Sequence, residues 1–449
     1  MLGGKVFGCD FSEIDGFDNL STPKGPIKSM QEKTTEIYGS EKTFYLTNGS
    51  TSGILALMLA VLKPGDKVLI NRNCHSSVYN GLVLTGACPV WIDVEIDSDW
   101  DIIKPVNIYG VERGIRENPG LKALIITNPT YEGLTADIEP IAQVCRRFNI
   151  TLIVDEAHGA LWNFCAAFPK TAIECGADAS VQSLHKSAGA LNPAALLHIA
   201  KNSLIQPDKV QQALNLINTT SPSYPVLLDI EVTIDFLSSV DGAKYILQLL
   251  KNIAAFHKEL LQRENIRVYC YGNDMTKILV QIDGMSGFML ADYLHQEHNL
   301  EVEIANDKSV LCLTGIGTTK RKLNKLKNAI LKISRKQNLE PIIETGLCPA
   351  TPRANEKYRT LSDAENEMKD SLKGKNTAKY LKPILTCTPQ RAYYANYAEI
   401  KPDQAIGCTA KSMHLTYPPG IPVLIAGEVI QEGHLEYLKQ HHDKIKVIV

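Results

Sequence analysis

The sequence predicts an α/β protein built on a mostly parallel sheet, followed by smaller α+β domains, and three observations carry that expectation. Between about residues 43 and 200, short aliphatic or β-branched runs alternate with amphipathic stretches, the order that strands and crossover helices of a parallel sheet impose. Turn signals such as Pro64-Gly65-Asp66 close the elements. After about residue 265 the strands and helices become shorter and change to an α+β alternation, so a second kind of domain begins there.

Taken in chain order, strands are expected at Lys67 to Ile70, Pro89 to Asp93, Ala123 to Thr127, Leu152 to Asp155 and Ala179 to Gln182. Helices are expected over Thr51 to Leu62, Ser76 to Thr85 and Ile138 to Phe148, then two long ones at roughly Pro225 to Val240 and Gly242 to Glu264. Arg267 to Tyr271, Lys277 to Ile282 and Val310 to Thr314 read as strands around a helix from Ser286 to His298. Gln337 to about Lys382 is polar and reads as a linker or surface excursion. The expected division is an N-terminal segment 1–40, a large domain 41–265, a small α+β domain 266–340, a polar linker 341–382 and a C-terminal domain 383–449.

A hydrophobic fraction of 44% with 21% charged residues is ordinary for a globular protein. The formal net charge of -2 gives no electrostatic case for nucleic acid or an anionic membrane as partner, which leaves small-molecule chemistry. The longest apolar run, Ile54 to Leu62, is too short to span a bilayer, and the first ten residues lack the apolar core of a signal sequence, so a cytoplasmic protein is expected. Eleven cysteines without a Cys-x-x-Cys or a paired Cys/His spacing point to free thiols and no metal site.

Four segments could carry chemistry. In Thr151-Leu152-Ile153-Val154-Asp155, apolar residues make a buried strand whose carboxylate emerges at the carboxyl edge, where α/β sheets place ligands. Strand alternation points Asp155 and Ala157 the same way. Asp155 can then hold a pyridine nitrogen protonated while the small Ala157 lets a ring lie flat; capping the next helix or binding magnesium is the plainer role for such an acid. Ser183-Leu184-His185-Lys186 follows at close range and offers an amine for a Schiff base, with Ser183 and His185 as phosphate donors. Together the two segments read as the halves of a pyridoxal 5'-phosphate (PLP) site. Leu46 to Gly53, between a strand-like run and a helix, offers a phosphate cup from Ser50, Thr51 and a helix N-terminus, where composition alone suggests an ordinary N-cap. In Arg72-Asn73-Cys74-His75, at another strand end, the His75 imidazole can stack on the ring face opposite Ala157.

In this order the four segments resemble the major domain of the ornithine/lysine/arginine decarboxylases, enzymes of PLP fold type I, the aspartate aminotransferase-like fold. Asp10-Phe11-Ser12-Glu13-Ile14, Thr219 to Pro225 and Tyr417 to Pro422 resemble the family's N-terminal, inter-subunit and C-terminal signatures. The resemblance makes Lys186 the Schiff-base lysine, Asp155 the partner of the pyridine nitrogen and His75 the stacking residue. It also implies that Ser50, Thr51, Ser183 and His185 hold the phosphate, with Thr220 or Ser221 reaching in from a neighbouring subunit, and that His158 lies near the cofactor's O3' or the substrate carboxylate. A homodimer or higher homo-oligomer with shared sites is implied, the N-terminal segment meeting the partner subunit.

The sequence departs from that pattern at Ser76, Asn192-Pro193, Asp229-Ile230-Glu231 and Ser412, positions implied to surround the substrate rather than the cofactor. PLP makes each bond at the substrate α-carbon labile, and the protein selects one by setting it perpendicular to the ring. The expectation is therefore an enzyme of arginine or an arginine derivative, with Glu13, Asp10 or Asp229 meeting the guanidinium. The leading reading is Cα deprotonation, loss of a γ-hydroxyl and ring closure to a cyclic guanidine, similar in kind to the enduracididine-forming cyclases that act on 4-hydroxyarginine. The alternative is α-decarboxylation of arginine, lysine or ornithine to a polyamine precursor.

Overall fold

The computed structural model describes residues 8–13, 16–269, 274–337, 381–416 and 420–449. After helix α1 (Pro26–Tyr38), the large sheet is built from β1 (Lys42–Leu46), β2 (Lys67–Asn71), β3 (Cys88–Ile92), β4 (Leu121–Thr127), β5 (Thr151–Asp155), β6 (Ala179–Ser183) and β7 (Ala195–Ile199). Their spatial order is β1-β7-β6-β5-β4-β2-β3. The five strands from β6 to β3 run parallel, and β7 runs antiparallel to both neighbours. Parallel pairing aligns the carboxyl ends, so Thr127 lies opposite Asp155 and Asp155 opposite Val181.

Both faces of this sheet are covered, which is why its strands read as continuous apolar runs rather than alternating ones. Val68, Ile70, Ile153, Val181 and Leu197 pack on one side with Ile54 and Leu57 of α2 (Gly49–Val61) and Leu82 of α3 (Ser76–Thr85). Leu69, Leu124, Ile126, Leu152 and Val154 pack on the other with Ile115 of α4 (Ile108–Glu117) and Ile141 of α5 (Ile138–Arg147). The sheet therefore buries two apolar layers and leaves only its edges for chemistry.

A short helix α6 (Leu184–Ser187) follows β6, and α7 (Pro207–Ile217), α8 (Tyr224–Leu237) and α9 (Val240–Leu260) follow β7. Val240 heads α9 instead of ending α8, because the Ser239 hydroxyl caps the Gly242 N–H and restarts the helix. A four-stranded antiparallel sheet comes next, ordered β8 (Ile266–Val268), β9 (Lys277–Ile282), β11 (Val310–Leu313) and β10 (Ile304–Ala305), with α10 (Gly287–His298) and α11 (Lys320–Gln337). Strand β8 is shorter than the expected run to Tyr271, whose last two residues lie outside the described set, as does most of the polar stretch from Gln337 to Lys382. The last described residues form two-stranded sheets, β12 (Tyr397–Ile400) with β15 (Ile445–Ile448) and β13 (His414–Thr416) with β14 (Ile421–Leu424). Among the described residues no helix is long and apolar enough to cross a membrane.

The buried Arg72 ties this C-terminal part to the large sheet. Its guanidinium donates to the carbonyls of Pro422 and Val423, each at 2.7 Å, and faces the buried Glu428 at 3.9 Å. The Ser76 N–H donates to the Gly420 carbonyl beside it, so the loop carrying His75 is strapped from the C-terminal side.

Candidate active site

The sequence-expected residues converge on the carboxyl edge of the large sheet. Asp155 ends β5, and its Oδ1 accepts the Ala157 N–H at 3.2 Å, fixing the carboxylate over the next turn. The Ala157 carbonyl in turn accepts the Ser183 N–H, which locks the two halves of the site together. Lys186 emerges from the single turn of α6, and its Nζ lies 2.9 Å from Nε2 of the buried His158.

Electrostatics set the protonation of this pair. Burial holds His158 well below the usual histidine range, and the positive charges of Lys186 and Lys277 push further the same way. Burial also lowers the Lys186 amine; Asp155 and Glu303 oppose that shift, and Lys277 adds to it. A neutral imidazole at this distance shares a hydrogen bond with the Lys186 amine, whose hold on its proton burial weakens.

His75 is the N-cap of α3 as well as a site residue. Its Nδ1 accepts the Ser77 N–H at 3.2 Å, so the ring carries its proton on Nε2. Burial lowers its proton affinity, Asp155 raises it and Lys186 lowers it, which places His75 in the field of the same two groups.

The phosphate cup passes a structural test. The N-cap of α2, Asn48, makes no side-chain cap, so the first N–H groups of that helix keep their capacity for an anion. The Ser183 hydroxyl donates to the Ser50 hydroxyl at 2.9 Å, bringing two of the expected donors to one point. Gly49 turns into the helix at φ 74°, with Pro193 Cβ 3.7 Å from the place a side chain would take, so one departing residue packs directly against the cup. His185 turns aside, with Nδ1 on the Ala194 carbonyl at 2.9 Å, leaving Nε2 as its free-facing nitrogen.

Other expected residues do not join Lys186. The Asp229 carboxylate accepts the Leu191 N–H at 2.6 Å, a commitment to the loop after α6. Glu13 lines a flanking crevice with Gln31, Tyr45, Thr219 and Thr220, while Asp10 and Ser221 are exposed. Tyr417 lies outside the described residues.

Sequence reasoning missed four groups at the site. Tyr131 puts its ring 4.3 Å from the His158 ring and 5.6 Å from Lys186 Nζ, and its hydroxyl donates to Glu303 at 3.3 Å. Lys277 is buried, donating to the His158 carbonyl and to Asp274, each at 2.8 Å. Glu156 is fully buried; its oxygens accept the Ala172 N–H and the Gln182 amide, each at 2.7 Å, and burial pushes it up to about 8. The strand-end logic that singled out His75 applies equally to Tyr131 after β4. Lys277 and Glu303 belong to the second sheet, and nothing local in the sequence announces their reach.

An acid at a strand end, a half-buried lysine on the neighbouring strand's end and a hydroxyl-lined helix N-terminus define the class: a PLP-dependent enzyme of fold type I. Solved structures share the fold. Constitutive lysine decarboxylase of E. coli matches at a TM-score of 0.81 with 20% identity, covering 100% of this chain and 76% of that one. Lysine decarboxylase LdcF of Francisella novicida matches at 0.81 with 19% identity, covering 100% and 75%. The serine palmitoyltransferase of Sphingomonas wittichii matches at 0.55 with 18% identity, covering 70% and 77%.

The chain belongs to the Orn/Lys/Arg decarboxylase family, whose major domain matches residues 1–278 and whose C-terminal domain matches residues 375–447. Arginine decarboxylase of Bacillus subtilis (strain 168) is 29% identical over 456 residues, 99% of this chain and 86% of that protein. Arginine decarboxylase of Halalkalibacterium halodurans is 28% identical over 458 residues, 98% and 86%. Lysine decarboxylase LdcA of Pseudomonas aeruginosa is 23% identical over 539 residues, 98% and 70%. The cofactor of this chain is PLP.

Proposed function

We propose that this enzyme acts at the α-carbon of arginine or an arginine derivative, with α-decarboxylation as the first reading. The full-length similarity to proteins named arginine decarboxylase supports that order, which reverses the preference drawn from the sequence departures. The observation that carries the site chemistry is the Lys186–His158 pair at 2.9 Å beside Asp155.

When bound, PLP supplies an electron sink for the pair of electrons left at the α-carbon. Lys186 anchors it, and Asp155 keeps a positive partner at the pyridine nitrogen. Ser50, Ser183 and the N-terminus of α2 would hold the phosphate, and His75 and Ala157 would flank the ring. His158, held neutral by burial and within hydrogen-bond reach of Lys186 Nζ, would orient the lysine amine. The apolar Ala157 and the Tyr131 ring limit water around the reacting carbon.

A second reading keeps its place because the same pair also suits it. The Lys186 amine, its proton affinity lowered by burial and its position held by His158, is placed to remove the Cα proton, as loss of a γ-hydroxyl and closure to a cyclic guanidine require. Leu228, Val232, Val240, Tyr245 and Leu247 leave an exposed apolar surface along α8 and α9, which supports a homodimer with Thr220 and Ser221 serving the neighbouring site. The absence of a long apolar helix among the described residues agrees with work in the cytoplasm.

Product analysis tests the proposal. Holoenzyme given L-arginine should release carbon dioxide and agmatine, and K186A should give neither product nor the visible absorbance of a covalently held cofactor. Loss of water from 4-hydroxyarginine without carbon dioxide release would move the assignment to the cyclising reaction. Turnover of neither, with the cofactor bound, overturns both.

A further inference from the structure

We propose that Glu303, together with Tyr131, is the group that holds the cationic far end of the substrate and so determines specificity for a basic amino acid. The inference rests on the reading of the site given above and replaces Asp10, Glu13 and Asp229 in that role.

Three observations place it. The Tyr131 ring stands between the reacting centre and Glu303: it lies against His158 at 4.3 Å and faces Lys186 Nζ at 5.6 Å, while its hydroxyl holds Glu303 Oε1 at 3.3 Å. A side chain extending from an α-carbon at Lys186 along the face of Tyr131 therefore runs toward a carboxylate. The position is built rather than accidental. The Glu303 N–H donates to the Leu311 carbonyl at 2.8 Å, and Tyr131 and the neighbouring Ile304 pack on one apolar cluster with Trp100, Leu134, Leu279 and Leu311. That cluster joins the loop after β4 to the second sheet, so the acid arrives only when the two parts of the fold dock.

Glu303 is also partly exposed, and its charge is felt at the Lys186 amine. A carboxylate in that place suits a guanidinium or ammonium, and the adjacent tyrosine face adds a cation–π surface. By contrast, the Asp229 carboxylate is already engaged by the Leu191 N–H, and Glu13 faces the crevice formed with Thr219 and Thr220.

The test compares wild type, E303Q and E303D holoenzymes with arginine and with citrulline, its neutral isostere, by spectral titration of the bound cofactor and by steady-state kinetics. The expected result for E303Q is a KM and a dissociation constant for arginine raised roughly 10- to 100-fold, with kcat changed far less, citrulline binding nearly unaltered, and E303D recovering part of the loss. An unchanged arginine-to-citrulline preference in E303Q overturns the inference, including the case in which only the pH profile moves. Wild type that binds arginine no better than citrulline overturns the basic-substrate reading itself, and the role of Glu303 falls with it.

Discussion

Replacing Glu156 by glutamine should flatten the loss of stability that the wild-type protein suffers above neutral pH. Glu156 is fully buried, and burial raises it from the ordinary carboxylate value of 4.5 to about 8, with Gln182 and the Ala172 N–H opposing. In the unfolded chain the group releases its proton near its ordinary value; in the folded chain it keeps the proton until about pH 8. Folding therefore favours the protonated form, and stability falls as pH rises through that window at roughly 1.4 kcal/mol per pH unit. Between pH 6.5 and 8 this single group costs about 2 kcal/mol. The depressed histidines do not mask it, because they are neutral in both states above about 7; their effect is a loss on the acid side, as the unfolded chain takes up protons that His198, His414 and His434 refuse. Stability should thus peak near pH 6.5.

A glutamine at 156 can keep the bond from Ala172 and, with the Gln182 amide turned over, donate to the Gln182 carbonyl oxygen, which lacks a partner. Urea midpoints followed by tryptophan fluorescence at pH 6.5, 7.25 and 8 should fall steadily in wild type. In E156Q the remaining slope should end near pH 7, where Glu428, raised by its burial to about 7, finishes titrating. A wild type as stable at pH 8 as at pH 6.5, or a variant with the full slope, refutes the reasoning.

Further outcomes follow from the buried charges. K277M leaves Asp274 buried with Trp162 and Thr276 as its remaining donors and should lose about 3–5 kcal/mol in urea denaturation, with the D274N/K277M pair recovering part of it. Equal stability of K277M and wild type would show that water reaches the pair. R72M strips donors from the Pro422 and Val423 carbonyls and should cost at least about 3 kcal/mol. Its amides over residues 421–430 should exchange faster, and unchanged protection there would mean the C-terminal part is held by its own packing instead.

The chemistry at the reacting centre was legible in the sequence because it is local. A strand of apolar residues ending in Asp155, a lysine one turn past Ser183 and a Gly-Ser-Thr helix start each fix a backbone geometry within a few residues, and parallel pairing brings their ends to one edge. The strands and helices around them appeared within a few residues of their expected places for the same reason. β7 was less visible, since an antiparallel strand inserted between β6 and β1 has the same buried apolar pattern as a parallel one.

What the sequence by itself determined was the cofactor and the strand-end positions of Lys186, Asp155, His75, Ser50 and Ser183, the residues proposed to hold it. What only the tertiary structure decided was the company they keep. Lys277 behind His158, and Glu303 beyond Tyr131, come from a second sheet whose docking depends on apolar surface buried between distant segments, and such burial leaves no spacing to read along the chain. Asp229 meets the Leu191 N–H, and Glu13 lines the crevice beside Thr219 and Thr220. The proposed selection among substrates thus depends on how the parts dock, while the proposed grip on the cofactor depends on strand ends.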